Sequence, residues 1–397
     1  MNQSSMLNVG RPAGAVVIGG DYQGLGIVRS LGKRGIPVCV IDDEHSISRF
    51  SRYATHGVRV PDLRDEDHTV ETLLNVGRSL NLKGWVLFPT RDETVAALSR
   101  HRQLLSEFFR VPVPEWSTVQ WMLDKRNTYQ LAKKLNIPFP RTWGPLTPDT
   151  LDEIDSQFPL VLKPAIKEHF FYATKAKAWR INSRAELHLM FRRASELTGA
   201  SEVIIQDMIP GDGRQQFSYC AFFKGGKAVG SMVARRLRQH PYDFGRASTF
   251  VETIDLPALE ALSQRFLRAI NYYGLVEVEF KLDPRDGQFK LLDVNARTWG
   301  YHALGTQAGV DFTGLLYADQ LSQSVVPCRG RPGVSWVRLL TDIPTGCLDV
   351  AAGRLRPRDF WNSLRNFHTE AVFAREDPMP GLVEFALIPY LTVKRGF

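Results

Sequence analysis

The residues with the most chemistry to offer lie in VEVEFKLDPRDGQFKLLDVNARTWG, residues 276 to 300. Two apolar runs flank Pro284 and Gly287, which suit a short hairpin loop. Side chains alternate along a strand, so Glu277 and Glu279 share a face. Asp293, Asn295 and Arg297 share one on the return run by the same rule. An antiparallel hairpin brings Glu279 beside Asp293. Two carboxylates and an amide oxygen then converge, and their like charges are costly to bury unpaired. Mg²⁺ carrying phosphate resolves the conflict, because it takes a few protein oxygens and keeps its other positions for phosphates and water. Arg297 adds a cationic clamp for a phosphoryl group or for developing negative charge. The alternative for these residues is a solvated hairpin face laced with salt bridges.

Elements must position that hairpin. The chain has 397 residues, enough for two or three domains, and its formal net charge is +8 with both signs spread along it. That excess favours anionic ligands or surfaces, but no arginine-lysine tail, zinc-finger spacing or RNA-binding aromatic motif points to nucleic acid. Cys39, Cys220, Cys328 and Cys347 form no C-x-x-C pair, which reads as buried thiols in a reducing compartment. No window reaches the length of a bilayer span, so the cytoplasm is the expected location, with a peripheral role at the membrane left open.

AGAVVIGG, a helix from about Gly26 and IPVCVID open the chain as a βαβ unit. With a further helix and strand, residues 13–112 are expected to form a small Rossmann-like α/β domain. Gly19, Gly20, Gly24 and Gly26 miss the G-x-G-x-x-G spacing, although Asp42 and Asp43 end the second strand where a ribose-binding acid would sit. Tight packing of the turn on the helix explains those glycines without a ligand.

VPVPEW marks a boundary, followed by a helix pair and the strand FPLVLKP ending at Lys163. The stretch Lys167 to Trp179 has poor periodicity and reads as a β-hairpin or mobile loop. A capped helix, the strand VIIQD, two further strands and a helix precede GLVEVEFKLD, the first strand of the acidic hairpin. Residues 321–397 read as an appended C-terminal lobe. Its RGRPGVSW and RPRDFWNSLRNFH segments mix arginine with aromatics and fit a membrane surface, a partner or the main body equally.

VLKP, VIIQDMIPGDG, GLVEVEFKLD and LLDVNARTWG occur in that order, and on them the chain resembles the ATP-grasp superfamily. More narrowly, residues 13 to about 320 resemble ATP-dependent carboxylate-amine ligases of the D-aspartate ligase-like and carbamoyl-phosphate-synthase-like groups. The resemblance implies an α/β and α+β multidomain chain. A pre-ATP-grasp domain would precede a two-lobed ATP-grasp domain over 113–320, with a small lobe about 125–210 and a large lobe about 211–320. It implies ATP and Mg²⁺ as cofactors, two ions, with Mn²⁺ as a substitute. Lys125 and Lys163 match the phosphate-contacting lysines, and Lys175 is a further nomination in the loop expected to cover the phosphates. Gln206, Asp207, Met208 and Ile209 match the strand that passes the adenine, and Asp212 or Gln216 the ribose contact. Glu279, Asp293 and Asn295 match the metal ligands, although Asp293 stands where the family more often has glutamate. Arg297 matches the arginine that steadies an acyl phosphate.

In that chemistry a carboxylate is phosphorylated by ATP and an amine then displaces the phosphate, so no cysteine or serine nucleophile is required. The substrates are expected to be a small-molecule carboxylate and an amine. Among Arg235, Arg236, Arg238 and Arg246, the pair Arg235 and Arg246 is expected to face them, since arginine forks suit carboxylates. His302 reads either as an acid-base group or as the start of a helix. A kinase or carboxylase of the same fold, an inactive nucleotide-sensing or partner-binding protein, and a dinucleotide oxidoreductase are the rival readings. Homodimerisation stays open.

Overall fold

The computed structural model describes residues 13–245 and 247–395. The N-terminal unit holds β1 (Ala15–Ile18), α1 (Tyr22–Gly32), β2 (Val38–Asp42), β3 (His56–Arg59), α2 (Glu66–Ser79), β4 (Val86–Pro89), α3 (Asp92–Arg100) and α4 (Arg102–Ser106). Its strands pair in parallel in the order β3-β2-β1-β4. The strands β1, β2 and β4 are buried along their whole length, which is why they read as continuous apolar runs rather than alternations.

The glycine turn serves packing. A side chain on Gly24 would put its Cβ 2.3 Å from the Gly19 carbonyl oxygen, and Gly19 sits at φ +94°. Asp42 is not free for a ribose: it accepts from the Gly20 N–H at 2.7 Å and pairs with Arg91 at 2.6 Å.

Next come α5 (Trp116–Leu123), α6 (Lys125–Lys134), β5 (Thr142–Trp143), β6 (Leu160–Pro164), α7 (Lys167–Thr174), β7 (Trp179–Ile181), α8 (Arg184–Thr198) and β8 (Val203–Asp207). The four strands form an antiparallel sheet in the order β5-β8-β6-β7. The expected hairpin or loop over 167–179 is instead α7 with a short strand after it. Its weak periodicity follows from a helix that carries charged groups on the side facing a cavity. Lys175 closes α7 in the left-handed conformation at φ +57°.

The largest sheet is built from β9 (Gln216–Lys224), β10 (Lys227–His240), β11 (Ala247–Ile254), α9 (Pro257–Ala269), β12 (Gly274–Asp283), β13 (Gln288–Asn295), α10 (Leu304–Ala308), α11 (Phe312–Gln320), β14 (Cys328–Arg329), β15 (Ser335–Val337), α12 (Leu339–Ala351), α13 (Pro357–Arg365), β16 (Thr369–Glu370), α14 (Met379–Ala386) and α15 (Ile388–Arg395). Its order is β13-β12-β9-β10-β11-β15-β16, with β14 beside β10. The stretch expected as an appended lobe therefore joins the large sheet through β15 and β16. It also reaches the N-terminal unit, where Asp377 takes Arg29, Ser51 and the Arg52 N–H.

The apolar core is divided between these parts. One apolar cluster runs from β1 and β2 through α5 to β12 and β13, so the N-terminal unit and the large sheet are packed as one. The small sheet and α8 have a separate core around Leu160, Ile181, Phe191 and Ile205. A lobe with its own core is free to shift as a body over the cleft beside it. Among the described residues, no helix is long and apolar enough to cross a membrane.

Candidate functional site

The hairpin places the acidic residues in register. Glu279 pairs with Asp293 and Glu277 with Asn295 across β12 and β13, with an irregularity just after Glu279. Each exposed carboxylate already holds a cation: Lys125 reaches Asp293 at 3.0 Å, and Arg236 reaches Glu279 at 3.2 Å. Asn295 donates to Glu279 at 2.9 Å and to Glu277 at 3.1 Å, while its Oδ1 accepts from Arg297 at 3.2 Å. Glu277 lies beneath this group and accepts from the Tyr301 hydroxyl at 2.6 Å. Burial, then the Glu279 charge, pushes its carboxyl up to about 7. Burial alone would raise Asp293, but Lys125 and Lys163 outweigh it and hold the carboxyl low.

Facing the hairpin, the small lobe closes a cleft lined by Lys125, Lys163, Lys177, Gln206 to Ile209, Asp212 and Gln216. Lys163 leaves the end of β6 and donates to the Tyr129 hydroxyl at 2.7 Å. Gln206 spends its side-chain amide on Thr142 at 2.7 Å, and Asp207 accepts from Ser156. Strand pairing stops at Asp207, so the peptide groups of Met208 and Ile209 border the cleft. Lys281 donates to the Ile209 and Gly211 carbonyls at 2.9 and 2.8 Å and fixes that turn. Asp212 caps the next turn, bonding the Arg214 N–H at 2.8 Å, and Gln216 accepts from Arg236.

Two placements differ from the expectations. Lys175 does not line this cleft; it borders a second cavity on the other side of α7. The lysines that do reach the cleft from this region are Lys167 and Lys177, since the helical turn of α7 points Lys175 elsewhere. Among the described residues Lys177 makes no hydrogen bond or ion pair, and burial brings its ammonium down to about 8. Arg235 likewise lies off the cleft. Strand alternation sends it to Glu252 on β11, with Nε 3.0 Å from the carboxylate, while its neighbour Arg236 faces the hairpin. Arg246 lies outside the described residues.

Sequence reasoning missed Asp92. It starts α3 in the N-terminal unit, yet it clamps Arg297 through bonds of 2.6 and 3.0 Å and takes Lys167 at 2.6 Å. Burial would raise its carboxyl, but Arg297 and Lys167 hold it well below the usual carboxylate range. A salt bridge between residues far apart in the chain leaves no local signal. Arg236 was visible only as one of a run of arginines. His302 is no acid-base group here: it is buried away from the cleft, against the Gln23 carbonyl at 2.8 Å, and burial lowers its pKa.

Around Arg297 the cleft opens through a channel lined by Lys177, Arg236, Glu277, Asn295 and Tyr301. The second cavity, of about 510 Å³, adjoins it, sharing Tyr22, Gln23, Lys167 and Arg297 in its lining and bordered further by Asp21, Arg64, Arg91, Glu168, Tyr172 and His240. The donor set fits Mg²⁺ in kind: two carboxylates and an amide, with cations now holding the positive charge. Asn295 offers its oxygen only after its amide turns from the carboxylates. No cluster of three or more histidine, cysteine or acidic side chains placed to hold a metal occurs among the described residues.

No family model matches the chain. A D-aspartate ligase from Enterococcus faecium (strain Aus0004) is 27% identical over 297 residues, which are 71% of this chain and 70% of that protein. Among solved structures, N5-carboxyaminoimidazole synthetase from Staphylococcus aureus, complexed with ADP, superposes with a TM-score of 0.62 at 16% identity. That match covers 83% of this chain and 82% of the other. L-amino acid ligase from Bacillus licheniformis gives 0.59 at 15% identity, over 80% of this chain and 76% of that one.

Proposed function

We propose that this chain, whose fold is that of the ATP-grasp enzymes, is an ATP-dependent ligase that joins a carboxylate to an amine. The observation that carries the reading is the continuity of the site. A cleft lined by lysines and an oxygen-bearing hairpin adjoins, through lining residues shared around Arg297, a second cavity of about 510 Å³ that bears charged groups of both signs. The likeness to a D-aspartate ligase supports an amino acid or peptide-like acceptor.

ATP lies between the lobes, with its base along Gln206 to Ile209 and its ribose near Asp212 and Gln216. Lys125, Lys163 and Lys177 hold the phosphates, and Lys177 is the one whose charge is not already committed. Glu279, Asp293 and Asn295 would hold Mg²⁺, which neutralises phosphate charge when bound. The substrate carboxylate attacks the γ-phosphorus, forming a C(O)O–P bond as the bond to ADP breaks. The amine nitrogen then attacks the carbonyl carbon, forming C–N as the C–O bond to phosphate breaks. Arg297, held by Asp92, faces the negative charge that develops on the acyl phosphate.

The test follows Mg²⁺-dependent ADP release from ATP with mixed amino acids, dipeptides and small carboxylates, with Glu279→Gln as the blank. Release that needs one carboxylate and one amine, and disappears in the blank, supports the ligase. Release with a carboxylate alone gives the site to a kinase. Release that instead needs bicarbonate gives it to a carboxylase. Tight ATP binding without release in any mixture would sink the reading in favour of nucleotide sensing.

A further inference from the structure

The last helices carry large apolar side chains outward. On α12 the buried residues are Thr341, Asp342, Thr345 and Gly346, whereas Ile343 is 45% and Leu348 60% exposed. On α14 the buried side is Pro380, Gly381 and Glu384, and Leu382 is 59% and Phe385 55% exposed. Ion pairs explain the inward charges. Asp342 takes Arg238 at 2.8 and 2.6 Å, and Glu384 takes Arg338 at 2.6 Å. They do not explain the outward side chains. A helix on a soluble surface normally turns its apolar stripe to the core. In contrast, α12 does not, whereas α14 seats Val383, and Leu387 just after it, against the core and still leaves Leu382 and Phe385 outside, the latter beside the Phe373 ring at 5.2 Å.

Between these helices lies α13, which buries no residue completely. It rests on α12 where Phe360 fills the notch at Gly346, so close that a Cβ there would lie 2.1 Å from the ring. The Arg338–Glu384 pair ties the start of α12 to α14, so α12 carries α13 on one side and meets α14 at its start. At helical spacing, Arg358, Trp361 and Arg365 share the outer side of α13, and Trp361 is 61% exposed. Half of the exposed large apolar side chains among the described residues fall between Ile343 and Ile388.

Charge decides what covers these helices. Arg356, Arg358, Arg365 and Arg375 are exposed and make no ion pair or hydrogen bond through their side chains among the described residues. The acids nearby are mostly spent. Asp349 holds Arg354 at 2.7 Å, Glu376 holds Lys33 at 2.7 Å, and Glu370 accepts backbone N–H groups at the start of the next segment. Asp359 is the one exposed acid left unpaired between Arg354 and Glu376. A second copy of this face would bring arginines against arginines, which repel. A surface of apolar chains beneath anionic headgroups satisfies both features at once: leucine, tryptophan and phenylalanine enter the acyl boundary and arginines meet the headgroups.

We propose that the outward faces of α12, α13 and α14 form a docking surface for an anionic lipid bilayer. The three helices lie on the far side of the large sheet's edge strands from the metal-binding hairpin strands in sheet order, β15 and β16 closing one edge and β13 the other. Docking there leaves the hairpin edge of the sheet unoccupied. The proposal does not depend on which reaction the cleft performs.

The test is flotation of the full chain with two vesicle types, phosphatidylcholine alone and phosphatidylcholine mixed with phosphatidylglycerol. Binding to the mixed vesicles is expected to be at least about tenfold tighter and to weaken as salt rises. Reversing Arg358→Glu with Arg365→Glu should weaken it by at least about thirtyfold. Leu382→Ser with Phe385→Ser should weaken it while leaving ATP binding and the unfolding temperature in place, since both side chains face outward. Absent or equal binding to the two vesicle types overturns the proposal, as does binding that ignores both variants. Sedimentation that shows a dimer, dissociated by the Leu382 and Phe385 changes, also overturns it and gives the face to a second copy.

Discussion

Asp92→Asn removes one charge, keeps the side-chain shape and should reveal whether the N-terminal unit is part of the reaction machinery. The carboxylate holds two buried or part-buried cations, with side-chain exposures of 13% for Arg297 and 26% for Lys167. Breaking a buried pair from one side costs about 3–5 kcal/mol, and partial exposure of Lys167 argues for the lower end, about 3. Unfolding entropy of about 2.1 cal/mol/K per residue, over 397 residues, converts that to a fall of about 4 °C in Tm. Because the folded carboxyl titrates below its ordinary range, its stabilisation is present above the unfolded pKa. It is lost only as pH falls through the folded value. The gap between wild type and variant should therefore be constant from about pH 6 to 8 and close only below about pH 4. ATP affinity should hold, because Asp92 does not line the nucleotide cleft, whereas product formation should fall about a hundredfold as Arg297 loses its aim. Differential scanning fluorimetry across pH and a coupled ADP assay measure both. A Tm within about 1 °C of wild type, with unchanged turnover, would refute the idea that Asp92 anchors Arg297.

Lys177, with its ammonium near 8 in the free protein, should take up a proton when ATP binds at pH 8. Calorimetry in two buffers of different ionisation heat detects the uptake, and Lys177→Met should abolish it; ATP affinity of the wild type should also decline above pH 8. Arg235→Ala should keep turnover within about twofold, since Arg235 is itself exposed and pairs with Glu252 away from the cleft, while Arg236→Ala should lower it at least about tenfold by freeing Glu279. Gly24→Ala drives a Cβ to 2.3 Å from the Gly19 carbonyl and should destabilise the N-terminal unit by about 1–3 kcal/mol, read from its unfolding midpoint. Glu279→Gln, the blank above, should leave the fold intact and remove Mg²⁺-dependent ADP release.

What the sequence determined by itself was local. Strand alternation puts Glu279 and Asp293 on facing positions once a hairpin forms, and the Pro284–Gly287 turn makes that hairpin the natural outcome. The all-apolar runs of β1, β2 and β4 announce a parallel sheet covered on both faces. What only the tertiary structure decided was everything that depends on which surfaces meet. Arg235 and Arg236 are adjacent and chemically identical, and the cleft took the second because β10 presents that face to β12's neighbour. Asp92 and Arg297 lie far apart in sequence, and α3 delivers one to the other through packing that no motif records. The residues 167–179 lacked a clear period because α7 is short and carries its charges toward a cavity. The C-terminal stretch was legible only as an appended lobe mixing arginines with aromatics: which side of α12 turns inward was decided by its buried partner Arg238, which holds Asp342.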